Sequence, residues 1–157
     1  MLQLGNLTFT SNLIQGPLAG TTCAPFRVVA HRYGTPAFCC SEMTSAKHLI
    51  HAKSPDRYVF KDEAEGPLCF QLSSKHVDDL SRATEMALEL NVDLIDLNCG
   101  CPKPKMRKKG VGSRLLEDEQ HLASLIKAIR TQTDKPVSIK IRVDGFSDDS
   151  FHITNAK

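Results

Sequence analysis

One stretch carries most of the chemistry legible in this chain. Residues 93–102 read Asp-Leu-Ile-Asp-Leu-Asn-Cys-Gly-Cys-Pro, and Lys103, Lys105, Arg107, Lys108, Lys109 and Arg114 follow with no acid among them. A short apolar run ends in Asn98, a glycine turn and Cys101, the pattern expected at the C-terminal tip of a strand, where α/β folds place reactive groups. Nearby cations and exposed backbone N–H groups favour thiolate character and gather phosphates. The pairing points to a reactive thiol working beside an anionic substrate, with nucleic acid the leading candidate.

A metal centre does not fit this pattern. Cys99 and Cys101 are separated by one residue, unlike the two or more of zinc knuckles and redox pairs, and no second Cys/His pair has matching spacing. The six cysteines (Cys23, Cys39, Cys40, Cys69, Cys99 and Cys101) are not preceded by a signal peptide. Three of them lie in apolar strand-like runs, which predicts free thiols in a cytoplasmic protein. No run approaches bilayer-spanning length. At 157 residues, 41% hydrophobic and 24% charged, the chain reads as one globular domain or a piece of a larger one. The net charge is only +2, so the basic character that matters is local.

Five apolar runs are expected to be strands: Asn12–Leu18, Pro36–Glu42, Pro67–Leu72, Asp93–Asn98 and Pro136–Arg142. Apolar or small residues at Leu80, Thr84, Ala87 and Leu88, and again at Leu122, Leu125, Ile126 and Ile129, predict two amphipathic helices. Residues 24–33 and 43–52 are weaker helical candidates, the first opening near Pro25. Residues 53–66 and the basic run 103–114 read as loops. Alternation of strand and helix with continuous apolar strands predicts a parallel α/β sheet. The chain lacks a G-x-G-x-x-G fingerprint and a P-loop, while Pro17, Glu42, Gln71, Asn98, Cys101 and Lys140 fall at or near strand ends. That distribution favours part of a (β/α)8 barrel over an open nucleotide-binding sheet.

The motifs Gly16-Pro17-Leu18-Ala19-Gly20 with Pro25-Phe26-Arg27, Ser41-Glu42-Met43, Phe70-Gln71-Leu72, Asp96 to Pro102, Lys109-Gly110-Val111-Gly112-Ser113 and Ile139 to Arg142 occur in the order of tRNA-dihydrouridine synthases. The chain resembles that family over nearly its whole length, with the Asn-x-Gly-Cys-Pro segment its most specific part. The resemblance implies an FMN-dependent reduction of the C5–C6 double bond of uridine in tRNA, with NADPH as electron donor. It implies hydride delivery from flavin N5 to C6 and proton donation to C5 by Cys101. It further implies flavin contacts from Pro17, Leu18, Ala19, Gln71 and Lys140, with Asn98 holding the uracil edge. Lys105, Arg107, Lys108 and Lys109 would grip the tRNA backbone while the base leaves its stack. No metal and no membrane are expected.

Two departures from the family accompany the match. Leu18 stands where the family often has methionine. The family barrel has eight strands followed by a helical tRNA-docking domain, so residues 1–157 are expected to form an incomplete FMN-binding barrel of about five β/α units, self-associating through its exposed sheet edges. Cys99 is expected to be a packing residue, Cys23 a structural one, and none of the six histidines is assigned a role. Two alternatives stay open: a non-catalytic truncated fragment, and another FMN-barrel reductase acting on a free pyrimidine.

Overall fold

In the computed structural model of this protein, residues 1–54 and 60–142 are described. The elements run β1 (Leu2–Leu4), β2 (Leu7–Phe9), β3 (Ile14–Gln15), α1 (Ala24–Gly34), β4 (Phe38–Cys40), β5 (Thr44–Ser45), α2 (Ala46–Ile50), β6 (Leu68–Ser73), α3 (Val77–Glu89), β7 (Leu94–Cys99), α4 (Pro104–Lys108), a 3₁₀ turn (Gly112–Glu117), α5 (Glu119–Arg130) and β8 (Val137–Ile141). The main sheet has the order β3-β4-β6-β7-β8 with every pairing parallel, and β5 adds to the end of β6. Parallel strands in sequential order, joined by helical crossovers, are the arrangement of successive β/α units in a (β/α)8 barrel.

Burial explains the sequence pattern. Every residue of β6 and β7 is buried, so both read as apolar runs without alternation. Helix α3 presents Leu80, Ala83, Thr84 and Ala87 to the sheet, and α5 presents Leu125, Ala128 and Ile129. These faces meet Leu49, Phe70, Leu72, Ile95 and Leu97 in one core. A fully buried side chain of this kind contributes about 1.5–3 kcal/mol. Cys99 belongs to this core, and burial, followed by the charge of Asp96, pushes its thiol pKa up to about 12. It is a packing residue.

The edges of the sheet are less complete. Ile14 is 49% exposed on β3, and Ile139 and Ile141 are 38% and 47% exposed on β8. The expected strand Asn12–Leu18 contracts to two paired residues, Ile14 opposite Phe38 and Gln15 opposite Cys39, because only β4 flanks it. The expected helix over 43–52 begins later than its pattern suggests: Thr44 and Ser45 pair with Leu72 and Ser73 before α2 starts. Of the loop expected over 53–66, residues 55–59 lie outside the described residues. The hairpin β1–β2 is an addition, closing one end of the sheet where Phe9 packs on Phe38 with ring centroids 5.7 Å apart.

Candidate active site

The C-terminal tips of β6, β7 and β8 and the loop after β3 enclose a cavity of about 700 Å³. Its lining includes Pro17, Leu18, Ala19, Gln71, Asn98, Cys101, Lys105, Lys109 and Lys140. The volume lies in the range of cofactor and small-molecule sites. Strand register makes the convergence physical. Gln71 on β6 sits opposite Asp96 on β7, Asp96 opposite Ser138 on β8, and Asn98 opposite Lys140. Residues two apart share a face of a strand, so Asp96 and Asn98 face together, as do Ser138 and Lys140.

A buried polar chain runs across these strands. Ser138 Oγ donates to Asp96 Oδ1 at 2.7 Å, Gln71 Nε2 donates to Asp96 Oδ2 at 2.7 Å, and Asn98 Nδ2 donates to Gln71 Oε1 at 2.9 Å. The Cys101 backbone N–H donates to Asn98 Oδ1 at 3.1 Å. A carboxylate that only accepts stands at one end and an N–H that only donates at the other, so the two amides between them have a single consistent orientation. Each then keeps one N–H and one oxygen lone pair for a ligand. Burial raises the pKa of Asp96, while the Ser138 and Gln71 hydrogen bonds and the charge of Lys140 pull it back. Asp96 is the buried polar residue of this cluster to which reasoning from the sequence gave no role. Its place two residues before Asn98, on the same face of the strand, was the available signal.

The loop bearing Cys101 is fixed from two sides. Gly112 has φ of +68°, and a Cβ there would lie 2.6 Å from the carbonyl oxygen of Cys101, which accepts from Ser113 N–H at 3.1 Å. Only glycine lets the two segments approach so closely. A Cβ at Gly100 would meet the carbonyl oxygens of Lys140 and Ile141 at 3.1 Å. Arg142, which no expectation singled out, also lines the cavity and donates from Nε to Gly100 O at 3.2 Å. Its spacing two residues beyond Lys140 could have flagged it.

The opposite wall is the segment Pro17–Ala19. The Leu18 carbonyl accepts from the N–H groups of Thr21 and Thr22, each at 3.0 Å, and Gly20 N–H donates to Glu42 at 2.6 Å. Arg27, at the start of α1, is 4% exposed and reaches Thr22 O at 2.8 Å and Glu65 at 2.6 Å. Within the Pro25-Phe26-Arg27 motif, Arg27 thereby ties the loop after β3 to Glu65.

The basic run corrects the loop expectation. It folds as α4 followed by the 3₁₀ turn, and its cations separate. Lys105 and Lys109 line the cavity, whereas Arg107 and Lys108 do not. The Arg107 guanidinium donates to Ser113 Oγ at 3.0 Å and pairs with Glu117, which Arg114 also holds. Those arginines keep the Glu117 carboxyl below its usual pKa. Among the described residues, no cluster of three metal-ligating side chains occurs and no helix is long and apolar enough to cross a membrane.

Comparison with known proteins decides the lineage. The model of the dihydrouridine synthase (Dus) family matches residues 14–157. The chain belongs to the dihydrouridine synthase family. Among its relatives, a probable tRNA-dihydrouridine synthase 1 of Synechocystis is 34% identical over 152 residues, covering 97% of this chain and 42% of the relative. The tRNA-dihydrouridine synthase B of Pseudomonas aeruginosa is 31% identical, covering 100% of this chain and 47% of the relative. A probable tRNA-dihydrouridine synthase of Helicobacter pylori is 39% identical over 135 residues, covering 83% and 40%. This Dus chain therefore spans less than half the length of these relatives. A solved structure of a variant of NCR from Zymomonas mobilis superposes with a TM-score of 0.61 over 94% of this chain and 59% of its own, at 12% identity, a likeness of fold.

Proposed function

We propose that this chain supplies one side of the active site of an FMN-dependent tRNA-dihydrouridine synthase, which reduces the C5–C6 double bond of a tRNA uridine with NADPH as electron source. The observation that carries the reading is the meeting of Pro17–Ala19, Gln71, Asn98, Cys101 and Lys140 around one cavity. The donor set fits a flavin and a uracil. Both rings carry an imide edge that alternates carbonyl acceptors with an N–H donor, and an amide with one N–H and one lone pair to spare complements such an edge. Bound FMN would supply hydride to the uracil ring.

The chain's own residues would do the rest. Gln71 and the Pro17–Ala19 backbone hold the flavin ring, and Lys140 balances the negative charge of its reduced form. Asn98 orients the uracil. Cys101, half-buried and at the cavity wall, donates the proton that C5 takes up. Asp96 holds Gln71 and, through it, Asn98 in their binding orientation without touching the reacting atoms. Lys105 and Lys109 draw in the phosphate backbone around the extruded base. A tRNA substrate puts the reaction in the cytoplasm. Residues 1–157 would form the N-terminal part of the barrel domain, with the remaining flavin and tRNA contacts in the further length of the relatives.

The test is flavin content and dihydrouridine formation. A protein carrying this segment is expected to retain FMN and to convert uridine in unmodified tRNA when given NADPH. Retained FMN with turnover of a free pyrimidine, and none of tRNA, would favour a small-molecule reductase.

A further inference from the structure

Arg107 belongs to the basic run but not to the wall of the cavity. Its helix, α4, starts at Pro104, just past Cys101, and has no buried residue, so packing alone does not fix the segment that leaves the thiol. The 3₁₀ turn beyond it is anchored, because Leu115 is 2% exposed within the core. Arg107 joins the two. Its Nη1 donates to Ser113 Oγ at 3.0 Å and its Nη2 pairs with Glu117, so one guanidinium on α4 grips two points of the turn. Ser113 then donates its backbone N–H to the Cys101 carbonyl at 3.1 Å, and Val111 N–H reaches Met106 O at 3.2 Å across the same junction. On its other side, Cys101 is held by its own N–H on Asn98 Oδ1.

A thiol that delivers a proton to one ring carbon must stand within hydrogen-bond reach of it, and a shift of about 1 Å costs about 10²-fold in rate. We propose that Arg107 is a positioning residue for Cys101: by pinning α4 to the 3₁₀ turn it sets where the thiol stands at the cavity wall, and it makes no contact with RNA phosphate. The inference rests on the reading of Cys101 as proton donor. Two features of the side chain support it. Both terminal nitrogens of the guanidinium are already committed, whereas Lys105 and Lys109 line the cavity and join no ion pair among the described residues. The guanidinium is also a planar fork that spans two acceptors at once, which the single ammonium of a lysine does not reproduce.

The test compares this chain with its Arg107→Lys, Ser113→Ala and Arg107→Lys/Ser113→Ala variants. Each is treated with iodoacetamide, and the alkylation rate of every cysteine is followed by peptide mass spectrometry. Lysine keeps the charge and removes the fork. Each single variant is expected to speed alkylation of Cys101 about two- to tenfold, the range for one partly exposed charged hydrogen bond. The double variant should show no more than the larger single effect, because both changes break the same tie. Cys23, the other exposed thiol, and the buried Cys39, Cys40, Cys69 and Cys99 keep their parent rates. An unchanged Cys101 rate, effects that multiply in the double variant, or a rise shared by the buried cysteines would each overturn the proposal, the last by showing a general loosening of the fold. In a protein carrying this segment, Arg107→Lys should lower kcat for dihydrouridine formation about three- to thirtyfold, with KM for tRNA, its salt dependence and flavin absorbance unchanged. A raised KM with kcat intact would make Arg107 an RNA contact and overturn the assignment. If that protein forms no dihydrouridine even with Arg107 in place, the tRNA reading fails, while the alkylation result still decides whether Arg107 holds the Cys101 segment.

Discussion

Asp96 is 5% exposed and accepts two hydrogen bonds of 2.7 Å, from Gln71 Nε2 and Ser138 Oγ. Asp96→Leu fills the same space but strands the buried Gln71 Nε2 donor, while the half-buried Ser138 hydroxyl turns to water, so the expected loss is roughly 1–3 kcal/mol. Asp96→Asn keeps one acceptor and leaves one donor unpaired, for about 1–3 kcal/mol, offset by relief of the buried charge. The offset has a pH signature. Because burial raises the folded pKa above the ordinary 3.8, the folded state holds this proton longer than the unfolded state does. The stability contributed by Asp96 is therefore complete below the ordinary carboxylate range and declines as pH rises through the raised value. Urea unfolding of wild type and Asp96→Asn over a pH series should show the wild-type advantage shrinking across that window and then levelling. An advantage that grows with pH would mean that the partners of Asp96 outweigh its burial, and would refute the reasoning.

Three further outcomes are expected. Arg27→Met leaves Glu65 charged and buried, so it should cost about 3–5 kcal/mol in chemical denaturation, with part recovered by adding Glu65→Leu; a loss below about 1 kcal/mol would show that the Arg27–Glu65 tie contributes little. Replacing Lys105 and Lys109 together by alanine should lower the salt slope of tRNA binding, by about 0.7–0.9 for each phosphate left without its cation, whereas Lys108→Ala leaves it unchanged; equal effects would remove the distinction between cavity-lining and remote cations. The exposed β3 and β8 edges should drive association of the 157-residue chain as its concentration rises. Sedimentation as a monomer throughout would exclude that.

The sequence made the core strands and both amphipathic helices legible because burial leaves a periodic trace. Leu80, Thr84 and Ala87 announce the inner face of α3, and the short apolar run around Leu94 to Leu97 reads as a strand covered on both sides. The placement of the candidate residues at strand tips was legible for the same reason, since the end of an apolar run marks the tip. What escaped depends on partners remote in sequence. Asp96 is polar within an apolar run, and its role exists only because register sets Gln71 and Ser138 beside it. Arg107 reads as one cation in a basic run, and its ties to Ser113 and Glu117 appear only once the chain turns through α4. The N-terminal hairpin had a readable signal, Leu2, Leu4, Leu7 and Phe9 alternating around Gly5-Asn6, and the structure pairs Leu4 with Leu7 across that turn.

The central claim, that Cys101 donates the proton completing uridine reduction beside a bound flavin, is tested most directly with Cys101→Ala in a protein carrying this segment. Flavin absorbance and dihydrouridine yield from unmodified tRNA would be measured on the same preparation. The account predicts an unchanged flavin spectrum with turnover lowered about 10²- to 10⁴-fold. Turnover near that of the parent, with flavin still bound, would contradict it.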